Sequence, residues 1–397
     1  MKQLSHRIAN LAESETIAMS QRSRELRSKG YDIINLSVGE PDFPTPEHVK
    51  EAARKAIDDN FTYYPPVPGI PELREAIARK FRRDNGLEYL PSQIVVSTGG
   101  KQALANAIYS LVDPGDEVIV PSPYWVSYPA MVSLAEGNPV YVHAGIDQDF
   151  KITPQQLEDA ITPKTKVLLM NSPSNPTGSV YSEKELEGLA EVLGRHPQVF
   201  VISDEIYEYI VYEDVHHSLA SLPGMKERVV IVNGVSKGFA MTGWRIGYIA
   251  APEWIASACS RLQGQYTSGA CSISQKAALA AVNGPLDDTR AMVEAFRRRR
   301  ELVVKLANDI PGLKNNNPPG AFYLFPNVSA FFGKTYHDKV MTNSRDLSFY
   351  LLEEAHVATV TGTAFGSENC IRFSYASSDE LLTEAMRRIK KALGDLK

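Results

Sequence analysis

Seven short apolar runs in the middle of the chain constrain its fold more than any other feature. Each contains three or four consecutive residues, mostly Val, Ile and Leu, and is followed by small or polar residues. Runs that do not alternate between apolar and polar residues are typical of strands buried on both faces of a largely parallel sheet. The runs occupy residues 94–96, 117–120, 140–142, 167–170, 199–202, 229–232 and 246–249.

Segments with helical periodicity lie between several of these runs, for example at residues 102–111 and 182–193. Strands that alternate with helices indicate an α/β fold, with helices on both faces of a mainly parallel central sheet. We expect this large domain to span residues 46–290. Ligands of such sheets bind beyond the carboxyl ends of the parallel strands, so the residues that follow each run are the candidates for a site.

The two ends of the chain have a different pattern, which predicts a smaller α+β domain made of residues 1–45 and 291–397. Its predicted elements are helices over 16–29, over 286–306 and from Asp379 onward, and apolar runs at 321–325, 357–361 and 371–374. The helix over 286–306 carries four consecutive arginines, Arg297 to Arg300. Because the chain as a whole is acidic, we expect these arginines to form a solvated helix face rather than an anion-binding patch.

The composition argues against several classes of protein. With 397 residues, 43% of them apolar and 22% charged, the chain has the make-up of an ordinary globular protein. Its formal net charge of −5 offers no electrostatic footprint for nucleic acid or an anionic membrane. No apolar run approaches the roughly 18 residues that cross a bilayer, and three cysteines without CxxC spacing predict neither disulfides nor a metal site. We therefore expect a soluble, cytoplasmic protein.

Two glycines follow the first run, in the sequence Gly99-Gly100-Lys101, where a helix is predicted to begin. Glycines at a helix N-terminus let backbone N–H groups approach an anion, so this turn is a candidate phosphate cradle. It is not a Walker A loop, because the matching positions are Val95 and Gln102. A plain tight turn is the alternative interpretation.

Polar side chains also follow the runs at 167–170 and 199–202. The first segment contains Asn175 between two prolines, which either holds an amide rigidly over a site or forms a structured loop. The second contains Asp204 and, three residues later, Tyr207. A carboxylate at the end of a buried strand is costly unless a cation faces it, so we expect a positive charge next to Asp204.

The stretch after the run at 229–232 is the most informative part of the sequence. It contains Ser236, Lys237 and Arg245. Burial lowers the pKa of a lysine amine and makes it a nucleophile that is able to form a Schiff base. Hydroxyl and guanidinium groups on either side of it suit a phosphate. Taken by their types alone, these residues are also compatible with a snorkelling lysine and a surface arginine.

Together, these motifs resemble those of the class I aminotransferases, which have the type I pyridoxal-phosphate transferase fold. The resemblance runs from Ser14 to the C-terminal helix, and it is closest to the bacterial branch of aspartate and aspartate/prephenate aminotransferases. It implies transfer of an amino group between an acidic amino acid and a 2-oxo acid by a ping-pong mechanism, with prephenate as a candidate acceptor. The motifs are Asn-Pro-Thr-Gly at 175–178, Ser-Asp-Glu-Ile-Tyr at 203–207 and Ser-Lys-Gly-Phe-Ala-Met-Thr-Gly-Trp-Arg at 236–245.

The resemblance assigns roles toward the cofactor, pyridoxal 5'-phosphate. Lys237 would hold it as a Schiff base and move the proton between the substrate α-carbon and the cofactor. Asp204 would keep the pyridinium nitrogen protonated, and this ring would be the positive charge expected at that carboxylate. The other implied contacts are Tyr207 and Asn175 at the phenolic oxygen, Trp125 on the ring face, and Gly100, Lys101, Ser236, Arg245 and the partner subunit's Tyr64 at the phosphate. The active site would then be complete only in a homodimer.

The resemblance also implies how the substrate is held, by Gly39, Trp125, Asn175, Arg372, Ser14, Thr16 and Lys101. Arg372 would clamp the α-carboxylate through two hydrogen bonds. Lys101, with the hydroxyls of Ser14 and Thr16, would meet the distal acidic group, which favours aspartate, glutamate or prephenate. A further hydroxyl is expected from the partner's segment 264–268, but this chain has Gly264 at the closest matching position.

Other functions on the same fold stay open at this stage. A lyase of the cysteine-S-conjugate type, acting on β-substituted amino acids, and a ring-forming cyclopropane synthase use the same cofactor. A pyridoxal-sensing transcription regulator would need a DNA-binding domain before the Gly39 turn, and the chain offers too few residues there. We expect small-molecule substrates, and neither nucleic acid nor a membrane as a partner.

Overall fold

The structure is a computed structural model that describes residues 4–9, 11, 15–213 and 215–397. In these residues the helices are α1 (His6–Ala9), α2 (Glu15–Ser28), α3 (Glu47–Asp58), α4 (Pro71–Asn85), α5 (Gly99–Leu111), α6 (Tyr128–Leu134), α7 (Pro154–Ala160), α8 (Glu183–Arg195), α9 (Glu253–Tyr266), α10 (Ser272–Asn283), α11 (Asp287–Asn308), α12 (Ser344–Glu354) and α13 (Asp379–Gly394). Across these same ranges, no helix combines the length and the apolar character needed to cross a membrane.

The strands of the described residues form one large sheet and several small ones. They are β1 (Ile34–Asn35), β2 (Ile94–Thr98), β3 (Glu117–Ser122), β4 (Asn138–His143), β5 (Thr165–Asn171), β6 (Phe200–Asp204), β7 (Val229–Gly234), β8 (Ile246–Ala250), β9 (Tyr323–Leu324), β10 (Thr335–Tyr336), β11 (Lys339–Val340), β12 (Val357–Ala358), β13 (Val360–Thr361) and β14 (Ile371–Ser374).

The large sheet has seven strands in the order β2-β8-β7-β6-β5-β3-β4, and each predicted apolar run overlaps one of them. Its strands are parallel except β8, which is antiparallel to both neighbours. The mainly parallel sheet is therefore confirmed, but the direction of β8 was not predicted. The connection between β7 and β8, residues 235–245, contains no α-helix and is too short for the crossover that a parallel strand requires.

Both faces of this sheet are covered by helices, which explains why its strands do not alternate between apolar and polar residues. In β5, Leu168 packs into a cluster with residues of α3, α4, α8 and α10. Its neighbours Val167 and Leu169 point the other way, into a cluster with residues of α5, α6 and α9. Because successive side chains of a strand face opposite sides, a strand between two helical layers has to be apolar at every position.

A second core forms where the two ends of the chain meet. It contains apolar side chains of α11, α12 and α13, including Phe296, Leu347 and Ile389. The N-terminal strand β1 pairs in parallel with β12 near the C-terminus, and β13, β14 and β9 form a small antiparallel sheet. The domain limits 46–290, 1–45 and 291–397 stay a prediction.

The expectation that Arg297 to Arg300 form one solvated helix face is wrong for two of the four arginines. Arg299 and Arg300 are buried on α11. Arg299 donates two hydrogen bonds to Asp42, at 2.7 and 2.9 Å, and Arg300 pairs with Glu213. With 3.6 residues in a turn, four consecutive residues encircle a helix and cannot share one face. Two of the arginines therefore point inward and need acidic partners.

A buried ion pair ties α4 to the segment that follows β6. The side chains of Lys80 and Glu208 are 1% and 4% exposed, and the Lys80 ammonium lies 2.5 Å from the Glu208 carboxylate. Asn85 accepts a second hydrogen bond from Lys80 at 2.8 Å and donates one to Glu208 at 3.2 Å. Glu208 directly follows Tyr207, so this pair fixes the backbone beside a candidate site residue.

We expect the substitution Lys80→Met to lower the free energy of unfolding by about 3 kcal/mol, because it leaves a buried carboxylate without a counter-charge. The matched control is Arg79→Met on the same helix, whose side chain is 62% exposed and 3.9 Å from Glu75. Loss of such a surface pair changes stability by less than about 0.5 kcal/mol. Urea unfolding followed by circular dichroism measures both, and equal effects would contradict a stabilising role for Lys80.

Candidate active site

A cavity of about 660 Å³ lies at the carboxyl ends of β5, β6 and β7. This is the edge of a parallel sheet where the strand ends leave room for a ligand. The segment 37–40 from the N-terminal part of the chain closes one side of it. The sequence-predicted residues that line the cavity are Gly39, Gly100, Lys101, Trp125, Asn175, Asp204, Tyr207, Ser236, Lys237, Arg245 and Arg372.

Lys237 stands three residues beyond the end of β7, and its ammonium lies inside the cavity. Loss of water around it lowers the pKa of this amine to about 8, and the positive charge of Arg372 acts in the same direction while Glu40 opposes it. The amine donates a hydrogen bond to the backbone carbonyl of Gly39. An amine with this pKa is partly unprotonated near neutral pH and is therefore a competent nucleophile.

Asp204 is the last residue of β6, and its side chain is buried at the floor of the cavity. The hydroxyl of Tyr128 donates a hydrogen bond of 2.8 Å to one of its oxygens, and the backbone N–H of Ile206 donates to the other at 3.3 Å. Burial raises the pKa of this carboxyl to about 6 in spite of these donors. No described side chain forms a salt bridge with Asp204, so the positive charge expected next to it stays a prediction.

Where β2 leads into α5, the backbone packs so closely that two positions have room only for glycine: Gly99 at the start of α5 and Gly247 on the neighbouring strand β8. Gly99 has φ +79°, and a Cβ there would collide with the guanidinium of Arg245. A Cβ at Gly247 would collide with the backbone nitrogen of Gly100. Arg245 therefore lies against the first turn of α5, and both line the cavity together with Ser236. Backbone N–H groups of a helix N-terminus, a hydroxyl and a guanidinium together form a site for an anion.

A second arginine, Arg372, lines the part of the cavity that the two ends of the chain form. Arg372 of β14 is buried, with its guanidinium 4.6 Å from the centre of the Tyr323 ring and 5.0 Å from that of Phe365. It donates to the Asn175 side-chain oxygen at 2.9 Å and to the Ser37 carbonyl at 2.6 Å. Its Nε is buried and finds no acceptor among the described residues. Each of its two terminal nitrogens has a second N–H group beyond these hydrogen bonds, so this guanidinium, which lines the cavity, retains donors for an anionic ligand.

Lys101 brings a further cation into the cavity. Its ammonium lies 4.8 Å from the centre of the Trp125 ring, which is a cation–π contact. Burial lowers the pKa of Lys101, and the charge of Arg245 adds to this effect. Within the part of the chain that the structure describes, no carboxylate pairs with this ammonium, so its charge is available to a ligand.

Tyr207 is buried beside Lys237, whose ammonium lies 5.6 Å from the centre of its ring. The hydroxyl of Tyr207 shares a hydrogen bond of 2.7 Å with the hydroxyl of Tyr323 on β9. A Cβ at Gly39 would approach that Tyr323 hydroxyl to 3.0 Å, so the glycine allows the segment 37–40 to pack closely against Tyr323. The small antiparallel sheet thus reaches the residues that follow β6.

Three predicted residues are not among the described residues that line this cavity. Tyr64 is 96% exposed at the surface. Ser14 lies outside the described residues, and Thr16 lies on α2 with a side chain that is likewise outside them. The segment 264–268 spans the end of α9, where Tyr266 is 71% exposed.

Sequence reasoning missed two tyrosines that contact the site. Tyr128 holds Asp204, and Tyr323 holds Tyr207. The proline after Tyr128 indicates the start of a helix three residues after Trp125, but nothing local indicates that this tyrosine contacts Asp204. No local signal distinguishes Tyr323, which lies in a short apolar run. In the described ranges, no group of three or more histidines, cysteines, aspartates or glutamates is arranged to hold a metal ion.

Comparison with known protein families gives a match to the model of aminotransferase class I and II over residues 31–389. An aspartate/prephenate aminotransferase of Cereibacter sphaeroides is 50% identical over 390 residues, which are 98% of this chain and 98% of the relative. A bifunctional aspartate aminotransferase and glutamate/aspartate-prephenate aminotransferase of Petunia hybrida is 49% identical and covers 99% of this chain and 83% of its own length.

Solved structures agree with this result. An aspartate aminotransferase from Rhizobium meliloti superposes with a TM-score of 0.97 at 46% identity, over 100% of both chains. An aspartate aminotransferase from Thermus thermophilus, solved with maleate, has a TM-score of 0.92 at 44% identity over 99% of this chain and 100% of its own. The family match, the relatives and the cavity agree, and the chain belongs to the class I and II aminotransferases, enzymes that use pyridoxal 5'-phosphate.

Proposed function

We propose that this aminotransferase moves the amino group of an acidic amino acid, aspartate or glutamate, to a 2-oxo acid, and that prephenate is one of its acceptors. The observation that carries this specificity is the pair of cations in one cavity, Arg372 and Lys101. Arg372 suits the α-carboxylate that all amino acid substrates have. Lys101 suits a second, distal carboxylate.

The relatives support the same substrate class. Their names include aspartate and prephenate, and the Thermus thermophilus enzyme was solved with maleate, which is a dicarboxylate. These names favour amino transfer over the lyase alternative.

The donor set of the cavity fits pyridoxal 5'-phosphate at three points. A buried carboxylate, Asp204, has no cationic partner among the described side chains and suits a protonated ring nitrogen. Lys237 is an amine of lowered pKa and suits the aldehyde. Gly100, Ser236 and Arg245 supply the donors for a phosphate, and we propose that Lys101 stands close to this end as well.

When it is bound, pyridoxal 5'-phosphate supplies a carbonyl carbon that accepts the amino group and an electron-poor ring that stabilises negative charge at the substrate α-carbon. Lys237 is placed to take the proton from that α-carbon. Because its pKa is lowered, this amine is unprotonated in a fraction of the enzyme molecules near neutral pH. The same ammonium then returns the proton. This shuttle needs no other base in the cavity.

Three other side chains would set the charge and the hydrogen bonds around this proton transfer: Asp204, Tyr207 and Asn175. The Asp204 carboxylate would keep a proton on the ring nitrogen, and Tyr128 keeps the carboxylate in place. The Tyr207 hydroxyl and the Asn175 amide would donate toward the phenolic oxygen, while Trp125 would cover the ring face. These groups stand ready before a substrate arrives, which is how an enzyme avoids the cost of reorganisation.

Arg372 binds the α-carboxylate, a role that is supported by its place in the cavity lining and by the lack of a carboxylate partner among the described residues. Asn175 and the backbone N–H of Gly39 complete the contact. We propose that residues 1–45 and 291–397 act as a small domain that closes over the substrate, and that Ser14 and Thr16 join Lys101 at the distal group on closure.

We propose further that the enzyme acts as a cytoplasmic homodimer. Tyr64 is nearly fully exposed, which supports a role in the cavity of a second copy, where it would contact the cofactor phosphate. The segment 264–268 is a candidate for a second contribution in trans. Cys259, Cys271 and Cys370 are free thiols, in keeping with a reducing compartment.

We expect the substitution Lys237→Ala to abolish the near-visible absorbance of the purified enzyme and to lower the rate of amino transfer at least about 100-fold, since it removes both the link to the cofactor and the proton carrier. Lys184→Ala on α8, an exposed lysine, is the matched control and should change neither. Absorbance spectra and a coupled assay with aspartate give the two readouts. A Lys237→Ala enzyme that keeps the band would refute this role.

We expect Lys101→Ala to lower kcat/KM for aspartate by about 10- to 100-fold, the worth of a charge-assisted hydrogen bond, and for alanine by less than threefold. Alanine has no distal carboxylate for Lys101 to bind. A panel of amino donors and 2-oxo acids that includes prephenate measures both effects and tests the acceptor range. Equal losses for aspartate and alanine would contradict the assignment of Lys101.

We expect the affinity of the apoenzyme for the cofactor to fall as the pH is lowered through about 6, because burial raises the pKa of Asp204 to that value and the protonated acid cannot pair with a cationic ring. A raised pKa also means that the folded apoenzyme binds this proton more tightly than the unfolded chain. The contribution of Asp204 to stability is therefore present below pH 3.8 and is lost as the pH rises to about 6.

Two variants isolate this effect from the titration of the cofactor itself. Asp204→Asn should remove the part of the pH dependence that belongs to the carboxyl group and should lower amino transfer about 100-fold. Tyr128→Phe removes a donor that lowers the pKa of Asp204, so it should move the midpoint to higher pH. Fluorescence titration of apoenzyme with cofactor between pH 5 and 8 measures these shifts. Identical profiles for wild type and Asp204→Asn would exclude Asp204 as the partner of the ring.

A further inference from the structure

The loop of residues 61–70, here called the tyrosine loop, presents two large aromatic side chains to solvent. Tyr63 and Tyr64 are 84% and 96% exposed. The loop contains no helix or strand, so its backbone needs other anchors. An exposed loop without such anchors would have to be ordered whenever its side chains bind a partner, at a cost in affinity.

One of these anchors is Gln263 of α9, which is completely buried. Its Nε2 donates to the carbonyl of Val67 in the tyrosine loop and to the carbonyl of Val96 in β2, each at 2.8 Å. Its Oε1 accepts from Ser97 at 2.6 Å and from Asn106 at 3.0 Å. A side-chain amide has two N–H donors and one oxygen with two lone pairs, so all four positions are in use.

A second buried amide holds the C-terminal end of the loop, three residues beyond Val67. Gln275 of α10 is also completely buried, and its Oε1 accepts from the backbone N–H of Ile70 at 2.8 Å. Its Nε2 donates to the carbonyl of Ala270 at 2.8 Å. Among the described residues, its side chain forms no hydrogen bond with β2, unlike that of Gln263, so it holds the loop without holding the strand that leads to Gly99 and Gly100.

We propose that Gln263 is a positioning residue for the active site of the other subunit. It holds the tyrosine loop in the conformation in which Tyr64 reaches the cofactor phosphate there. This inference rests on the proposed homodimer with shared sites. Gln263 also borders the phosphate cradle of its own chain through Val96 and Ser97, but every residue of β2 is paired with β8, so the strand keeps its place without this amide. The loop has no such ladder, and its backbone is joined to β2 by the hydrogen bond from the N–H of Val96 to the carbonyl of Pro68, at 2.9 Å.

Mixed dimers distinguish an effect of Gln263 on the active site of its own chain from an effect on the active site of the other chain. In each, one chain carries Lys237→Ala and so offers no amine for covalent attachment, which leaves a single competent site on the other chain. Two different affinity tags allow the mixed dimer to be purified from co-expression. The readout is the concentration of pyridoxal 5'-phosphate that half-saturates labelling of Lys237 after borohydride reduction, measured by peptide mass spectrometry.

In the first mixed dimer, Gln263→Met is placed on the chain that carries Lys237→Ala, so the competent site receives its tyrosine loop from the altered chain. We expect half-saturation to need about tenfold more cofactor than the Lys237→Ala/wild-type dimer, because a small misplacement of a binding group is costly. In the second, Gln263→Met is placed on the chain with intact Lys237, and we expect a value within twofold of the reference. The reverse pattern, or no change in either dimer, would overturn the proposal.

Gln275→Met, in the same two arrangements, provides a second variant should Gln263→Met fold poorly, and we expect the same direction of effect. Tyr64→Phe, placed on the chain that carries Lys237→Ala, tests whether Tyr64 contributes to the active site of the other subunit. If Tyr64→Phe weakens labelling from the Lys237→Ala chain and neither glutamine variant does, the shared site stands and this inference fails. If Tyr64→Phe has no effect from that chain, the shared site itself fails. Tyr350→Phe, which removes a buried 2.7 Å hydrogen bond to Ala392, controls for a general loss of stability and should not change labelling.

Discussion

The removal of two opposite charges from water is the constraint on which the rest of this structure depends. Burial lowers the pKa of Lys237 to about 8 and raises that of Asp204 to about 6. Both shifts favour the neutral form, whereas direct pairing would move each in the other direction. The amine and the acid are thus close enough to share a cavity and yet are not each other's partner. In the proposed function, a cofactor with an aldehyde at one point and a basic ring nitrogen at another would satisfy both groups together.

The surrounding chain keeps these two charges where they are. The sheet delivers Asp204 and Lys237 from adjacent strands, since β6 and β7 pair in parallel and end at the same edge. Close backbone packing at Gly99 and Gly247 brings Arg245 against the first turn of α5. Behind the site, Lys80 and Glu208 secure α4 to the segment that carries Tyr207. Each of these buried polar groups has a partner, which is the condition under which burial does not unfold the region.

The two cations proposed to bind the substrate differ from these structural ones in having no acidic partner. In the described chain, Arg372 lies beside two aromatic rings and Lys101 beside one, and neither forms a salt bridge. By contrast, Arg299 is paired with Asp42 and Asp379 and has a structural role. The same reasoning applies to Gln263, whose bonds are all satisfied and whose action is therefore on the position of the tyrosine loop, not on a ligand.

The apolar runs and the residues that follow them predicted the sheet, five of the helices, and a site that contains Asp204, Lys237 and Arg245, because these are local features of the sequence. Gly39, Trp125 and Arg372 were predicted only through the resemblance to the aminotransferases. Only the tertiary structure decided the direction of β8, the burial of Arg299 and Arg300, and the contacts of Tyr128 and Tyr323. Tyr128 meets Asp204 across 76 residues, and Tyr323 meets Tyr207 across 116. Contacts of this kind depend on how separate elements pack, and neither periodicity nor residue type along the chain carries that information.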